Sequence, residues 1–208
     1  MDRYIDALNK EIIQKARDYN INSIFIGGGT PSYLNDLNLE RLLITLNKLR
    51  LNNNFEFTME CNPGTLNKEK LVMMKKYRVN RISMGLQSTN NVALKEIGRI
   101  HSYEEFKNNY LLARNIGFDN INVDLMFGLP NQNIEDWKES LEEIAKLKPE
   151  HISAYSLIIE EGTHFYKLYE EDKLNLPEED KERVMYLVTK EILNKYNYHQ
   201  YEISNFAQ

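Results

Sequence analysis

A chain of 208 residues, 42% hydrophobic and 27% charged, carries enough apolar side chains for one sizeable core and needs no more than a single domain over residues 1–208. Its net charge of −5 and isoelectric point near 5.5 argue against nucleic acid or an anionic membrane surface as partner. No apolar run approaches the ~20 residues of a membrane span, and Met1-Asp-Arg-Tyr-Ile lacks the regions of a signal peptide, so a soluble cytoplasmic protein is expected.

Ile5, Leu8, Ile12, Ala16 and Tyr19 recur at helical spacing and predict a helix over residues 3–19. A buried strand follows at Ser23 to Ile26 and breaks into Gly27-Gly28-Gly29-Thr30-Pro31-Ser32. Consecutive glycines let another molecule's polar group come against the backbone amides, although a tight turn without a ligand has the same residues. Leu39, Leu42, Leu43, Leu46 and Leu49 mark a second helix, Phe55 to Glu60 a strand closed by Cys61-Asn-Pro63, and Leu71, Met74 and Tyr77 a short helix. The strand Arg81 to Leu86 ends at Gln87-Ser88. A helical segment from Asn91 to Ile97 meets Gly98-Arg99, and Ser102-Tyr-Glu-Glu105 is a capping box for a helix that Gly117 stops.

Ile121 to Phe127 is the next strand, Asn133 caps a helix through Ile144, and His151 to Leu157 is the fifth strand. Residues 160–173 read as irregular, Pro177 with Glu178, Glu179 and Asp180 opens a last helix, and Tyr201 to Phe206 predicts a sixth strand. Strands separated by helical pattern have the rhythm of repeated β-α units, so an α/β fold is expected, with a parallel sheet or partial (β/α) barrel.

In such folds the loops after the strands share one rim. Here they carry Gly27 to Thr30, Glu60 with Asn62, Gln87 with Ser88, Asp124, and Tyr155 with Ser156. Asp124, between Val123 and Leu125, is a carboxylate that is costly inside unless it is paired or meets a ligand. Arg99 suits a carboxylate or phosphate clamp, or is a solvated surface side chain. The four histidines show no ligand spacing and read as structural or surface groups, and Cys61 reads as a small buried thiol. One cysteine excludes an internal disulfide, and also an iron–sulfur or zinc site made from this chain's thiolates alone.

Gly27-Gly-Gly-Thr-Pro-Ser32, Glu60-Cys-Asn-Pro63, Gly85-Leu-Gln87-Ser88, Gly98-Arg99, Asn122 to Pro130, Ser153-Ala-Tyr-Ser-Leu157 with Glu160-Glu-Gly-Thr163, and Tyr201 to Phe206 together resemble the radical S-adenosylmethionine family. Within it the likeness is to the oxygen-independent coproporphyrinogen III oxidase-like proteins, and more closely to their HemW-type heme chaperone branch. The resemblance implies a partial (β/α)6 TIM-like barrel and S-adenosylmethionine as a ligand. It implies that Gly28, Gly29 and Thr30 meet the methionine end of that ligand, and that Glu60, Gln87, Arg99 and Asp124 line its pocket. Arg99 would clamp a carboxylate and Asp124 would accept from a hydroxyl.

Family members also have a first strand and a Cys-x3-Cys-x2-Cys loop holding a [4Fe–4S] cluster, and the chaperone branch a His-Asn-x-x-Tyr-Trp stretch before a C-terminal domain. This sequence contains none of them, so it is expected to be the core fragment of a longer protein, inactive alone, with Ile24 to Ile26 left as an unpaired edge. Heme or porphyrin and an unspecified heme-accepting protein are the partners the resemblance implies. Three functions compete on sequence: heme binding and transfer, oxidative decarboxylation of coproporphyrinogen III, and an ordinary nucleotide- or phosphate-binding β/α domain using the glycine loop.

Overall fold

The alternating patterns resolve, in a computed structural model describing residues 1–208, into eight α-helices and seven strands. In chain order these are α1 (Asp2–Ala16), β1 (Asn20–Ile26), α2 (Asp36–Leu46), β2 (Arg50–Cys61), α3 (Lys68–Lys76), β3 (Arg81–Gln87), α4 (Asn91–Glu96) and α5 (Tyr103–Ile116). There follow β4 (Ile121–Phe127), α6 (Ile134–Leu147), β5 (His151–Ser156), α7 (His164–Glu170), α8 (Glu179–Lys195), β6 (His199–Glu202) and β7 (Asn205–Ala207). No helix is long and apolar enough to cross a membrane.

One compact unit comprises Met1–Gly85 and Glu104–Ile121. Its strands run parallel, β1 beside β2 and β2 beside β3, with Ile24 opposite Phe57 and Met59 opposite Ile82. Phe57, Met59, Ile82 and Met84 are fully buried, as are Leu39 and Leu43 of α2, Leu71 and Met74 of α3, and Phe106 and Ala113 of α5. Each fully buried large side chain among them contributes ~1.5–3 kcal/mol of transfer free energy. The helices start where short polar side chains satisfy free amides: Asn35 accepts from the Asn38 N–H at 2.9 Å and Asn67 from the Lys70 N–H at 2.8 Å.

The second unit comprises Leu86–Tyr103 and Asn122–Gln208. Here β4 and β5 are parallel, with Asn122 opposite His151 and Asp124 opposite Ser153. Along β4, Val123, Leu125 and Phe127 are buried on one face while Asp124 and Met126, half-buried, lie on the other with Asn122. Helix α8 packs through Met185, Thr189, Ile192 and Leu193. The fully buried Trp137 of α6 donates its indole N–H to the Met185 carbonyl at 3.1 Å and the Thr189 hydroxyl at 2.9 Å.

Three expectations are corrected. Ser23 to Ile26 is a strand but not a buried one: within β1, Ser23 and Phe25 are exposed and Ile24 and Ile26 half-buried, at the end of the sheet. Tyr201 to Phe206 is not one strand: β6 and β7 form an antiparallel hairpin, and β7 runs antiparallel to β5. The turn exists because the Glu202 carboxylate accepts from the Ser204 N–H at 3.0 Å and from the Asn205 amide at 2.8 Å. The stretch read as irregular contains α7, started by the Thr163 hydroxyl, which accepts from the Tyr166 N–H at 3.1 Å. None of its seven residues is buried, and Phe165, Leu168 and Tyr169 give an apolar period only two turns long, too short to stand out in the sequence.

Candidate functional site

The glycine loop leaves β1 with its backbone turned outward. Gly28 and Gly29 have φ of +77° and +59°, and a Cβ built on either would find no atom within 4 Å. Such left-handed backbone is costly for residues with a Cβ and easy for glycine. At Gly27 the restriction is spatial, since a Cβ would strike the Phe25 ring and come within 3.0 Å of the Glu60 carboxyl. Glu60, at the end of the neighbouring strand, accepts the Gly28 N–H through Oε2 at 3.1 Å. Thr30 is extended and half-buried, and an open hollow of about 640 Å³ lies beside Gly29, Thr30, Tyr33 and Asn35.

The loop is pinned behind the glycines. Ser32 is buried; its hydroxyl accepts the Asn62 N–H at 3.0 Å and lies 2.5 Å from the Thr65 hydroxyl, which itself donates to the Asn62 carbonyl at 2.8 Å. Beneath them the buried Lys70 ammonium donates to the Ser32 carbonyl at 2.6 Å and to the Thr65 carbonyl at 3.4 Å. The loops after β1 and β2 are therefore fixed to each other and to α3 while Gly28 and Gly29 stay open. A carboxylate beside exposed backbone amides suits a zwitterion, with an ammonium for Glu60 and a carboxylate for the amides. Sequence reasoning passed over Lys70, although a lysine four residues before the core-facing Met74 was a visible signal.

In the second unit, Gln87 ends β3 in a left-handed conformation, φ +77°, uncommon for a residue with a Cβ. It is buried, and its Oε1 accepts the Tyr155 hydroxyl at 3.0 Å. Gly98, φ +72°, closes α4 with bonds from its own N–H to the Lys95 carbonyl at 3.0 Å and from the Arg99 N–H to the Leu94 carbonyl at 2.8 Å. That is the Schellman arrangement, and it sets the position of Arg99. Arg99 is half-buried, and its guanidinium enters no ion pair or hydrogen bond. Asp124 accepts at Oδ1 from the Asn122 amide at 2.7 Å. The structure thus joins Gly28 to Glu60 in one unit and, in the other, gives Gln87 a hydrogen bond from Tyr155 and Asp124 one from Asn122.

Of the histidines, His101 and His151 are buried, His101 with Nε2 3.3 Å from the Leu86 carbonyl, while His164 and His199 are exposed. Cys61 is buried with its Sγ 3.6 Å from the Met59 carbonyl. Burial pushes its thiol far above the ordinary range, the Glu60 carboxylate adds to the shift, and Lys70 opposes it. No group of three His, Cys, Asp or Glu side chains could hold a metal ion. One inert thiol does not fit a [4Fe–4S] cluster, which is held by several thiolates.

The description "Radical SAM superfamily" matches residues 2–144. The heme chaperone HemW of Bacillus subtilis (strain 168) is 40% identical over 213 residues, covering 100% of this chain and 56% of that protein. Its counterpart in Lactococcus lactis is 41% identical, covering 100% and 55%. The chain therefore spans about half the length of the curated relatives it matches. Among solved structures, the radical SAM enzyme coproporphyrinogen III oxidase (HemN) from Escherichia coli superposes with a TM-score of 0.86 at 28% identity, covering 100% of this chain and 48% of that one. The fold is accordingly mixed α/β, a partial TIM-like barrel as expected.

Proposed function

Because the chain belongs to the radical SAM superfamily, we propose that it supplies the S-adenosylmethionine-binding core of a HemW-type heme chaperone, a cytoplasmic protein that binds heme and passes it to an acceptor. The observation that carries this reading is identity of 40% and 41% to two heme chaperones along the whole chain, against 28% to the oxidase HemN.

In this reading Gly28, Gly29, Thr30, Glu60, Gln87, Arg99 and Asp124 are the ligand contacts. The backbone at Gly28 and Gly29 and the Thr30 hydroxyl receive the amino-acid end of S-adenosylmethionine, with Glu60 facing its ammonium group. Arg99, whose guanidinium has no protein partner, clamps a carboxylate. Asp124 accepts from a hydroxyl, and Gln87 is held in place by Tyr155. The bound group would supply an activated sulfonium; these side chains and amides serve only to recognise and orient it.

Calorimetric titration with S-adenosylmethionine, with ATP alongside, tests the site. Saturable binding of S-adenosylmethionine is expected, and Arg99→Met or Asp124→Asn should weaken it ~10–100-fold, the worth of one charge-assisted hydrogen bond. Binding of ATP alone would overturn the reading in favour of a nucleotide-binding domain. Hemin titration followed by visible absorption tests the chaperone half. Decarboxylation of coproporphyrinogen III by the protein would instead favour the oxidase.

A further inference from the structure

A line of hydrogen bonds ends on Asp124 and begins on the C-terminal hairpin. Asn122 and His151 are buried and sit opposite each other on β4 and β5. The Asn122 Nδ2 donates to Asp124 Oδ1 at 2.7 Å, and Asn122 Oδ1 lies 2.5 Å from His151 Nδ1 and accepts from the Ser153 hydroxyl at 3.2 Å. On the other side of the ring, His151 Nε2 lies 2.8 Å from the Tyr201 hydroxyl of β6, and the two rings meet edge to face with centroids 5.7 Å apart. Tyr201 itself is 66% exposed, so one end of the line is open to solvent.

Donor and acceptor chemistry sets the direction of every bond in this line. An ionised carboxylate only accepts, so the Asn122 amide nitrogen must face Asp124 and its oxygen must face His151. His151 must then carry its proton on Nδ1. In a neutral ring that leaves Nε2 as an acceptor, and the hydrogen comes from the Tyr201 phenol, whose O–H is a donor. Phenol, imidazole and amide all donate toward Asp124, an ordering in which each bond polarises the next.

We propose that Tyr201, His151 and Asn122 are positioning residues that fix the orientation of the Asp124 carboxylate and couple the β6–β7 hairpin to it. The role in ligand binding rests on the reading of Asp124 as a contact of S-adenosylmethionine; the hydrogen-bond order does not. An isolated structural tie between β4 and β5 would need neither a unique tautomer nor any effect on a ligand.

The experiment has two arms on the full chain. In the first, nitrogen-15 NMR of the imidazole in the unliganded protein at neutral pH should show a protonated Nδ1 and an unprotonated Nε2 for His151, and Tyr201→Phe, which removes only the hydrogen bond to Nε2, should shift the Nε2 resonance while Nδ1 keeps its proton. A proton on Nε2, on both nitrogens, or an Nε2 resonance that does not respond to Tyr201→Phe overturns the ordered line. In the second arm, calorimetry with S-adenosylmethionine should show ~10-fold weaker binding for His151→Leu and ~3-fold for Tyr201→Phe. His151→Asn, whose amide can donate from the Nδ1 position, should stay within ~2-fold of wild type. Circular dichroism confirms that each variant folds, and His151→Asn and Tyr201→Phe keep the test decisive if His151→Leu does not. Wild-type binding that none of the variants changes overturns the positioning role alone. A wild type that binds no S-adenosylmethionine overturns the functional reading and the positioning role together, and the NMR arm still decides the hydrogen-bond order.

Discussion

Replacing Lys70 with methionine tests whether the glycine loop is held from beneath. Methionine keeps an unbranched apolar stem but removes both donors, the one 2.6 Å from the Ser32 carbonyl and the weaker one 3.4 Å from the Thr65 carbonyl. A charge-assisted hydrogen bond is worth ~1.5–3 kcal/mol net, and its loss leaves a carbonyl without its partner. Relief from burying an ammonium offsets part of this, so Lys70→Met should lose ~1.5–2 kcal/mol. In thermal unfolding of a chain this size that is a fall of about 3–8 °C. Urea unfolding with an unchanged slope measures it directly. Amide hydrogen exchange should quicken at Tyr33 and Asn62, whose N–H groups bond to the Thr30 carbonyl and the Ser32 hydroxyl, while the amides of β2 keep their protection. Stability within ~0.5 kcal/mol of wild type, or loop amides that exchange at the original rate, would refute the reasoning.

Gly28→Ala should cost ~1–2 kcal/mol through its φ of +77° alone, and Gly28→Asn less, because asparagine tolerates left-handed backbone; equal stability of all three proteins would show that the residue is not left-handed. Cys61 is pushed up by burial, so the folded thiol keeps its proton where the unfolded one loses it. Its contribution is therefore fully present below about pH 8.5 and falls by up to ~1.4 kcal/mol per pH unit above that. Cys61→Ala should flatten this alkaline slope, and a wild-type slope identical to the variant's would contradict the assignment. Phe25, 62% exposed on β1, which pairs only with β2 at the end of the sheet, should promote self-association. Phe25→Lys should reduce concentration-dependent light scattering, and a wild type that stays monomeric at high concentration would remove the basis for it.

The strands β1 to β5 were legible because each shows its own short apolar run or alternation between amphipathic helices, and those runs need no knowledge of their neighbours. Gly98 and Arg99 were legible for the same reason, since a helix stop is a local event. The hairpin was not. Tyr201-Glu-Ile-Ser-Asn-Phe has strand-like residues on both sides of a turn without glycine or proline, and the turn depends on the Glu202 carboxylate reaching Ser204 and Asn205. Gln87 gave no sign of its left-handed backbone, because glutamine has no special tendency toward it.

The candidate site divides along the same line. Gly28, Gly29, Glu60, Arg99 and Asp124 were picked out because their residue types carry chemistry wherever they fall. His151 and Asn122 lie 29 residues apart and acquire their relation only through the pairing of β4 with β5. Asp124 belongs to both groups. Its position between Val123 and Leu125 marked a carboxylate whose burial had to be compensated, and the alternatives were a protein partner or a ligand. The structure supplies a protein partner in Asn122, whose amide donates to Oδ1. A line of phenol, imidazole and amide relieves part of the cost of burial and fixes the orientation of the group that a hydroxyl-bearing ligand would meet.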